Sequence, residues 1–515
     1  MRVGDFTQLL HVCIAALFLV GPGAPKLMIP HILLWRELRC DLSTEMNSSA
    51  EWLGEDISVE FSGARLGDGR RTKRLQRIAS MASSSPGAGF PQMVNSDSEL
   101  EGLYRFLSNP NVTETDILKP HIESTRRRAR ESGACLVLHD TTTFSFGGLS
   151  RRSGLGATSS GGQGFMAHVA LAVLEGDSRI PLGILGQLSW TRTTVKHSER
   201  KSAKALKSDG QRESLRWYAL LEQVERQREG FECIHVMDRE GDIFELLAQA
   251  SELGARFVIR AAHDRRINSA GEKLTGLLND LDPQLYRNVQ VCERLGKRFG
   301  AGKSRHKPRD ARTAELAIAA ISVVLKAPRV RTVNAASVSL NLVRVWEPHP
   351  PADQPQIEWL LLTSEPIATD QDLARIVDTY RARWTIEEFF KAIKTGCGFE
   401  RRQLESLGTL KNALAIFMPI AWRLLLVRAV SRAAPKASPE TILIPIQLRL
   451  LQYKLKLTQP FKTAEEAAYG LARLGGHLKR NGPPGWQTLG KGLDRLNEML
   501  EGWMAAEQVL RCDQS

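Results

Sequence analysis

The sequence predicts an α/β fold flanked by helical segments, and three observations carry that prediction. Two short apolar runs, at residues 135–138 and 233–237, lead into Asp140 and Asp238, the pattern of buried strands with a carboxylate at the C-terminal end. Amphipathic stretches of helical period lie between and after them, at 213–228 and 380–394. On either side the strand signal fades: residues 51–123 and everything beyond Gly398 read as helical.

The first helical segment is strongly basic. Residues 70–77 hold five cations, among them Arg70, Arg71 and Arg74, while Leu75, Ile78 and Met81 form an inner stripe, so the outer face suits phosphate contact. A second helix is expected at 99–107, ended by Asn109-Pro110. After the run ending at Asp140, a Gly/Ser-rich loop covers 147–164, and 167–174 and 180–190 read as two further strands in an antiparallel set of three. A cationic segment, 192–207, leads into the 213–228 helix, and the fourth strand ends at Asp238 with Asp242 placed to cap the helix that follows. A short strand is expected at 256–260. Residues 262–356 are strand-like and include the basic stretch 297–312, with seven cations and one acid. Residues 359–363 form a returning buried strand, and Thr369-x-x-Asp372 is a capping box for the next helix. Residues 413–427 are apolar but interrupted by Pro419 and Arg423, so a core or interface helix is expected there rather than a membrane span. Leu489, Leu493, Leu496, Leu500 and Trp503 repeat at helical spacing near the end.

At 515 residues the chain is long enough for about three domains. Lys and Arg number 70 against 57 Asp and Glu, a net charge of +13 that suits a polyanionic partner. The seven cysteines are scattered without a Cys-x-x-Cys pair, which argues against a disulfide framework or a zinc site and for a reducing, cytoplasmic location. Residues 9–20 form an apolar run of signal-peptide length, too short to span a bilayer, and a true translation start at or near Met46 is expected.

The chemistry resides in the acids. If 380–394 is one helix, at about 100° per residue, Tyr380, Arg383, Glu387 and Lys394 share one presented face. Ala382, Ile386, Phe389, Phe390 and Ile393 then form its apolar back. Mixed-sign faces are often merely solvated surface, so this pattern gains meaning only with Asp140 and Asp238. Carboxylates converging at strand ends repel unless cations neutralise them, and hard oxygen donors without Cys or His suit Mg²⁺ or Mn²⁺. Two such ions serve phosphodiester cleavage, with Arg383 and Lys394 left to hold phosphates. Glu240, Asp242 and Glu388 are assigned turn, capping and solvated roles.

These residues carry a resemblance. Asp140-Thr141-Thr142, Asp238-Arg239-Glu240-Gly241-Asp242 and Tyr380-x-x-Arg383-x-x-x-Glu387-x-x-x-x-x-x-Lys394 resemble the motifs of the DDE cut-and-paste transposases of bacterial insertion sequences, specifically the IS-four family that includes the transposase of transposon Tn-five. Similarity extends through 67–72, 104–106, 109–112 and 359–366, and so covers the chain from about residue 50 to the end. The resemblance implies an RNase H-like (retroviral-integrase-like) catalytic domain at 126–262 and 357–400, interrupted by a β-rich insertion with a basic loop at 263–356. It implies a helical domain at 46–125 that reads terminal inverted repeats in double-stranded DNA and a helical dimerisation region at 401–515, with 1–45 outside the fold. It further implies a homodimer that cleaves in trans through a hairpin intermediate and joins 3′-hydroxyl ends to target DNA. Trp359 would stack on a flipped base, with Tyr380, Arg383 and Lys394 on the phosphates around it. Two rivals stand beside this reading: another RNase H-like nuclease, and a catalytically silent DNA-binding derivative.

Overall fold

The Val- and Leu-rich run after Ala134 enters the centre of a sheet, and strand β1 continues through the β-branched Thr141–Thr143 to cover Ala134–Phe146. The structure, a computed structural model, describes residues 52–53, 55–148, 151–158, 161–192, 212–267, 270–278, 280–291, 293, 298–299, 303–304, 309–478, 480 and 483–512. The expectations for residues 1–45, and nearly all of those for 192–207 and 297–308, lie outside the described residues.

Ahead of β1 come helices α1 (Gly69–Ser84), α2 (Asp97–Leu107) and α3 (Glu114–Ser132). Each opens on a short polar cap, Asp68, Ser96 and Thr113, whose side chain accepts a backbone N–H of the first turn. Leu75 and Ile78 of α1 are buried as the stripe requires, and Met81 half so.

The strands after β1 are β2 (Gly156–Ala157), β3 (Gln163–Val173), β4 (Pro181–Trp190), β5 (Glu232–Met237), β6 (Arg256–Arg260), β7 (Leu285–Val291), β8 (Arg298–Phe299), β9 (Lys303–Ser304), β10 (Arg312–Lys326), β11 (Ser337–Trp346) and β12 (Glu358–Thr363). Ten of them form one mixed sheet in the order β2-β3-β1-β5-β6-β12-β11-β10-β7, with β4 also on β3, while β8 and β9 pair with each other. Pairing is antiparallel for β1–β3 and β3–β4, parallel for β1–β5 and β5–β6, and antiparallel from β6–β12 through β10–β7. The three antiparallel strands expected first are present, and the strand-like stretch after residue 262 extends the same sheet.

Helices α4 (Arg216–Arg226) and α5 (Phe244–Glu252) follow β4 and β5. After β12 come α6 (Asp370–Ala382) and α7 (Trp384–Lys391), then α8 (Leu407–Ala433), α9 (Pro445–Lys454), α10 (Ala464–Leu474) and α11 (Trp486–Cys512). The Thr369–Asp372 capping box is formed as expected. Among the described residues α8 alone is long and apolar enough to cross a membrane, and 83% of its most apolar window is buried inside the protein. Its Leu, Ile and Phe side chains join one apolar cluster with α1–α3, β1, β3, β4 and α7.

Three sequence expectations need correction. Asp140 sits mid-strand in β1, because β1 runs on against β3 as far as Phe146; only its ladder with β5 stops, at Leu138. The 380–394 stretch is not one helix: α6 ends at Ala382, α7 starts at Trp384, and Ala392–Gly396 forms a π-helical turn. Asp242 does not cap α5, whose N-cap is Ile243; it is buried, accepts from the backbone N–H groups of Ala262 and His263, and pairs with Arg265 at 2.5 Å.

Candidate active site

Parallel pairing brings the first two acids together. The β1–β5 ladder runs from Ala134 opposite Glu232 to Leu138 opposite Val236, and two residues beyond its end on each chain segment come Asp140 and Asp238, near enough that the Asp238 charge acts on the Asp140 carboxyl. Adjacent strands lie about 4.8 Å apart, close enough for the two charges to interact strongly. Asp238 also holds the turn after β5, its Oδ1 accepting from the Glu240 N–H at 2.8 Å.

The third acid arrives on α7, whose first turn carries Glu387. Arg383, at the joint between α6 and α7, reaches both sides. Its Nη1 lies 3.1 Å from Asp140 Oδ2 and its Nη2 2.7 Å from Glu387 Oε1. One guanidinium thus links acids that are 247 positions apart in chain order (387 minus 140).

Burial pushes the Asp140 carboxyl up to about 7, the Asp238 charge and then Glu387 push the same way, and the Arg383 guanidinium and the Thr141 N–H oppose them. Three carboxylates, Asp140, Asp238 and Glu387, thus stand near a single guanidinium. All three predicted acids offer carboxylate oxygens, the donor type that Mg²⁺ and Mn²⁺ take, and two other carboxylates acting on a buried Asp140 fit a cation there. With Arg383 between them, the acids do not form a ligand cluster whose atoms all lie within 4.8 Å; among the described residues a Glu225, Cys233, His235 group does.

The other signature residues are placed differently from a single polar column. Lys394 rides the π-helical turn, its Nζ donating to the Thr143 carbonyl at 2.7 Å and lying 3.9 Å from Glu400 Oε1. Burial draws its pKa down. Tyr380 is buried, contrary to a presented face, and its ring stands edge-on to the half-buried Trp359 with centroids 5.3 Å apart. The apolar back behaves as expected, with Ala382, Ile386, Phe389, Phe390 and Ile393 buried. Glu388 is not simply solvated; Arg432 and Arg428 lie 3.2 and 3.5 Å from its carboxylate.

Trp359, Tyr380 and Arg383 line a cavity of about 680 Å³ that also draws on Arg260, Arg287, Arg381 and Trp384. Sequence reasoning missed these four. Arg381 and Trp384 lie inside the signature stretch at positions its pattern leaves unspecified, whereas Arg260 and Arg287 reach the cavity only through the folding of β6 and β7.

Arg70, Arg71 and Arg74 lie on α1, in the helical segment ahead of the sheet. Arg70 is exposed and pairs with Asp68 at 2.9 Å. Arg71 donates to the Leu66 carbonyl at 2.8 Å, and the Arg74 guanidinium packs so closely on Gly102 of α2 that a Cβ there would fall 3.0 Å from it.

The mixed sheet with its gathered acids and neighbouring cationic, aromatic cavity fits a metal-dependent enzyme that cleaves DNA. Comparison with known proteins makes this particular: residues 51–112 match the family described as Transposase DNA-binding, and residues 213–418 the Transposase DDE domain. The chain is a DDE transposase, a DNA-binding enzyme of DNA transposition. The second match includes Asp238 and Glu387 and begins after Asp140. Among solved structures, a piggyBac transposase synaptic complex with hairpin DNA is similar at 10% identity over 74% of each chain, with a TM-score of 0.34, too slight a likeness to bear on fold or activity.

Proposed function

We propose that the chain is a cut-and-paste transposase of the IS-four type, in which Asp140, Asp238 and Glu387 form the catalytic centre. The observation that carries this reading is the pair of contacts from Arg383 to Asp140 and Glu387, with the Asp238 charge acting on the same Asp140 carboxyl. The three acids would hold two Mg²⁺ or Mn²⁺ ions, which would supply activation of the attacking oxygen and stabilisation of the leaving oxygen.

The remaining residues position DNA. The outer face of α1, with Arg70, Arg71 and Arg74, contacts phosphates at the terminal inverted repeats. The cavity between Trp359, Tyr380 and Arg383 accepts a nucleotide turned out of the duplex: the Trp359 indole offers a stacking face, and the arginines around it hold the flanking phosphates. Lys394 adds a further cation beside β1. Water first breaks the phosphodiester bond at the element end and leaves a 3′-hydroxyl. That hydroxyl attacks the opposite strand, releasing the flanking DNA and closing a hairpin. A second water opens the hairpin, and the 3′-hydroxyl then joins target DNA, with two copies of the chain acting in trans on paired ends in the bacterial cytoplasm.

The test is purified protein with Mg²⁺ and DNA carrying the inverted repeats that bracket its reading frame. Hairpin-ended excision products are expected. Cleavage indifferent to end sequence favours a general RNase H-like nuclease, and binding without cleavage a silent derivative. Asp140→Ala, Asp238→Ala and Glu387→Ala should each abolish cleavage while end binding survives. Retained cleavage in any one removes that residue from the centre.

A further inference from the structure

We propose that Glu225, Cys233 and His235 form a structural zinc site on the face of the sheet opposite the acids. Cys233 Sγ lies 3.2 Å from Glu225 Oε1 and 3.7 Å from His235 Nε2, and the last two atoms are 2.9 Å apart. A tetrahedral zinc ion with ordinary bond lengths sets its ligand atoms about 3.3–3.6 Å from one another, so the triangle closes on one ion with shifts of about half an ångström. Cys233 and His235 are fully buried, and the Glu225 side chain nearly so.

The surroundings hold these ligands in place. His235 Nδ1 faces His139 Nε2 at 2.8 Å, which turns Nε2 toward the cluster, and Arg228 Nε engages the other Glu225 oxygen at 3.1 Å. Cys135 on β1 is the register partner of Cys233, on the same face of the sheet, and is the candidate for the fourth ligand. A thiolate and an imidazole select zinc, in contrast to the all-oxygen set at the acids. Binding releases the thiol protons of Cys233 and, as fourth ligand, Cys135 to solvent. The ion fastens β5 to α4, and through Cys135 to β1, directly behind the strands that carry Asp140 and Asp238. Sequence spacing hides the site, because its ligands are a Cys-x-His on one strand and a glutamate eight positions upstream on a helix.

The test uses the full chain and does not depend on DNA chemistry. Protein purified from zinc-supplied cells should carry about one zinc per chain, retained in Asp140→Ala and lost in Cys233→Ser. Protein grown on cobalt should show the sulfur-to-cobalt charge-transfer band, which acids alone cannot give. Wild-type protein without zinc and without that band overturns the proposal, leaving the contacts as a hydrogen-bonded chain. Zinc retained in Cys233→Ser overturns it equally. If Cys233→Ser fails to fold, the wild-type zinc content and cobalt band decide.

Discussion

The guanidinium of Arg383 stands where cations are expected, between Asp140 and Glu387. On the proposed reading it would compete, in the free protein, with a divalent ion for the same oxygens. Arg383→Gln should therefore tighten Mn²⁺ binding on the order of tenfold, about 1.4 kcal/mol, measured by titration calorimetry without DNA, and should slow cleavage. Unchanged Mn²⁺ affinity would sink the competition. Asp140 supports a second prediction. Its folded pKa, pushed up to about 7, lies above the unfolded value of about 3.9, so between those limits the native state binds the extra proton. That contribution to stability is fully present below about pH 4 and is lost as pH rises through about 7. Asp140→Asn, which cannot ionise, should melt higher than wild type at about pH 8 without metal, with the gap closing toward about pH 4. An equal gap at both pH values would mean that charge is not the cause.

The elements that carry these residues were legible to different depths. The apolar runs before Asp140 and Asp238 marked β1 and β5, because strands buried on both faces need near-continuous Val, Ile and Leu. The end of β1 was not legible: Thr141–Thr143 extend it only because β3 lies alongside, a partner set by chain more than twenty residues away. The helix carrying Glu387 was readable from its apolar spacing, but the joint at Arg383 and the π-helical turn at Ala392–Gly396 were not. A π-helical turn adds a residue to the local winding, so Lys394 lands away from the column that a regular helix predicts. The apolar back still anchors α7, and Phe389→Ala should cost about 3–5 kcal/mol by leaving a cavity under Glu387. Urea unfolding measures this, and a loss below about 1 kcal/mol would show that Phe389 does not hold the helix.

At the scale of the molecule, residues 50–515 cluster as one unit, and the apolar core running from α1 through β1 to α8 and α10 joins the two helical ends to the sheet. Composition pointed to a polyanionic partner, and the Leu repeat announced the last helix, but not how far that helix stays covered. In α11, Leu489 and Leu496 are buried, whereas every residue from 501 to 510 is exposed, including Trp503, Met504, Val509 and Leu510. An exposed apolar helix end is costly in water unless another surface covers it, and the paired-end mechanism proposed above supplies a second copy of the chain. Deleting residues 501–515 removes no described buried side chain, so the fold and its melting temperature should persist. The truncated protein should still bind one DNA end but run as a monomer in light scattering and fail to bring two ends together in a gel assay. If it remains dimeric, or pairs ends as well as the full chain does, the contact between copies lies elsewhere on the molecule.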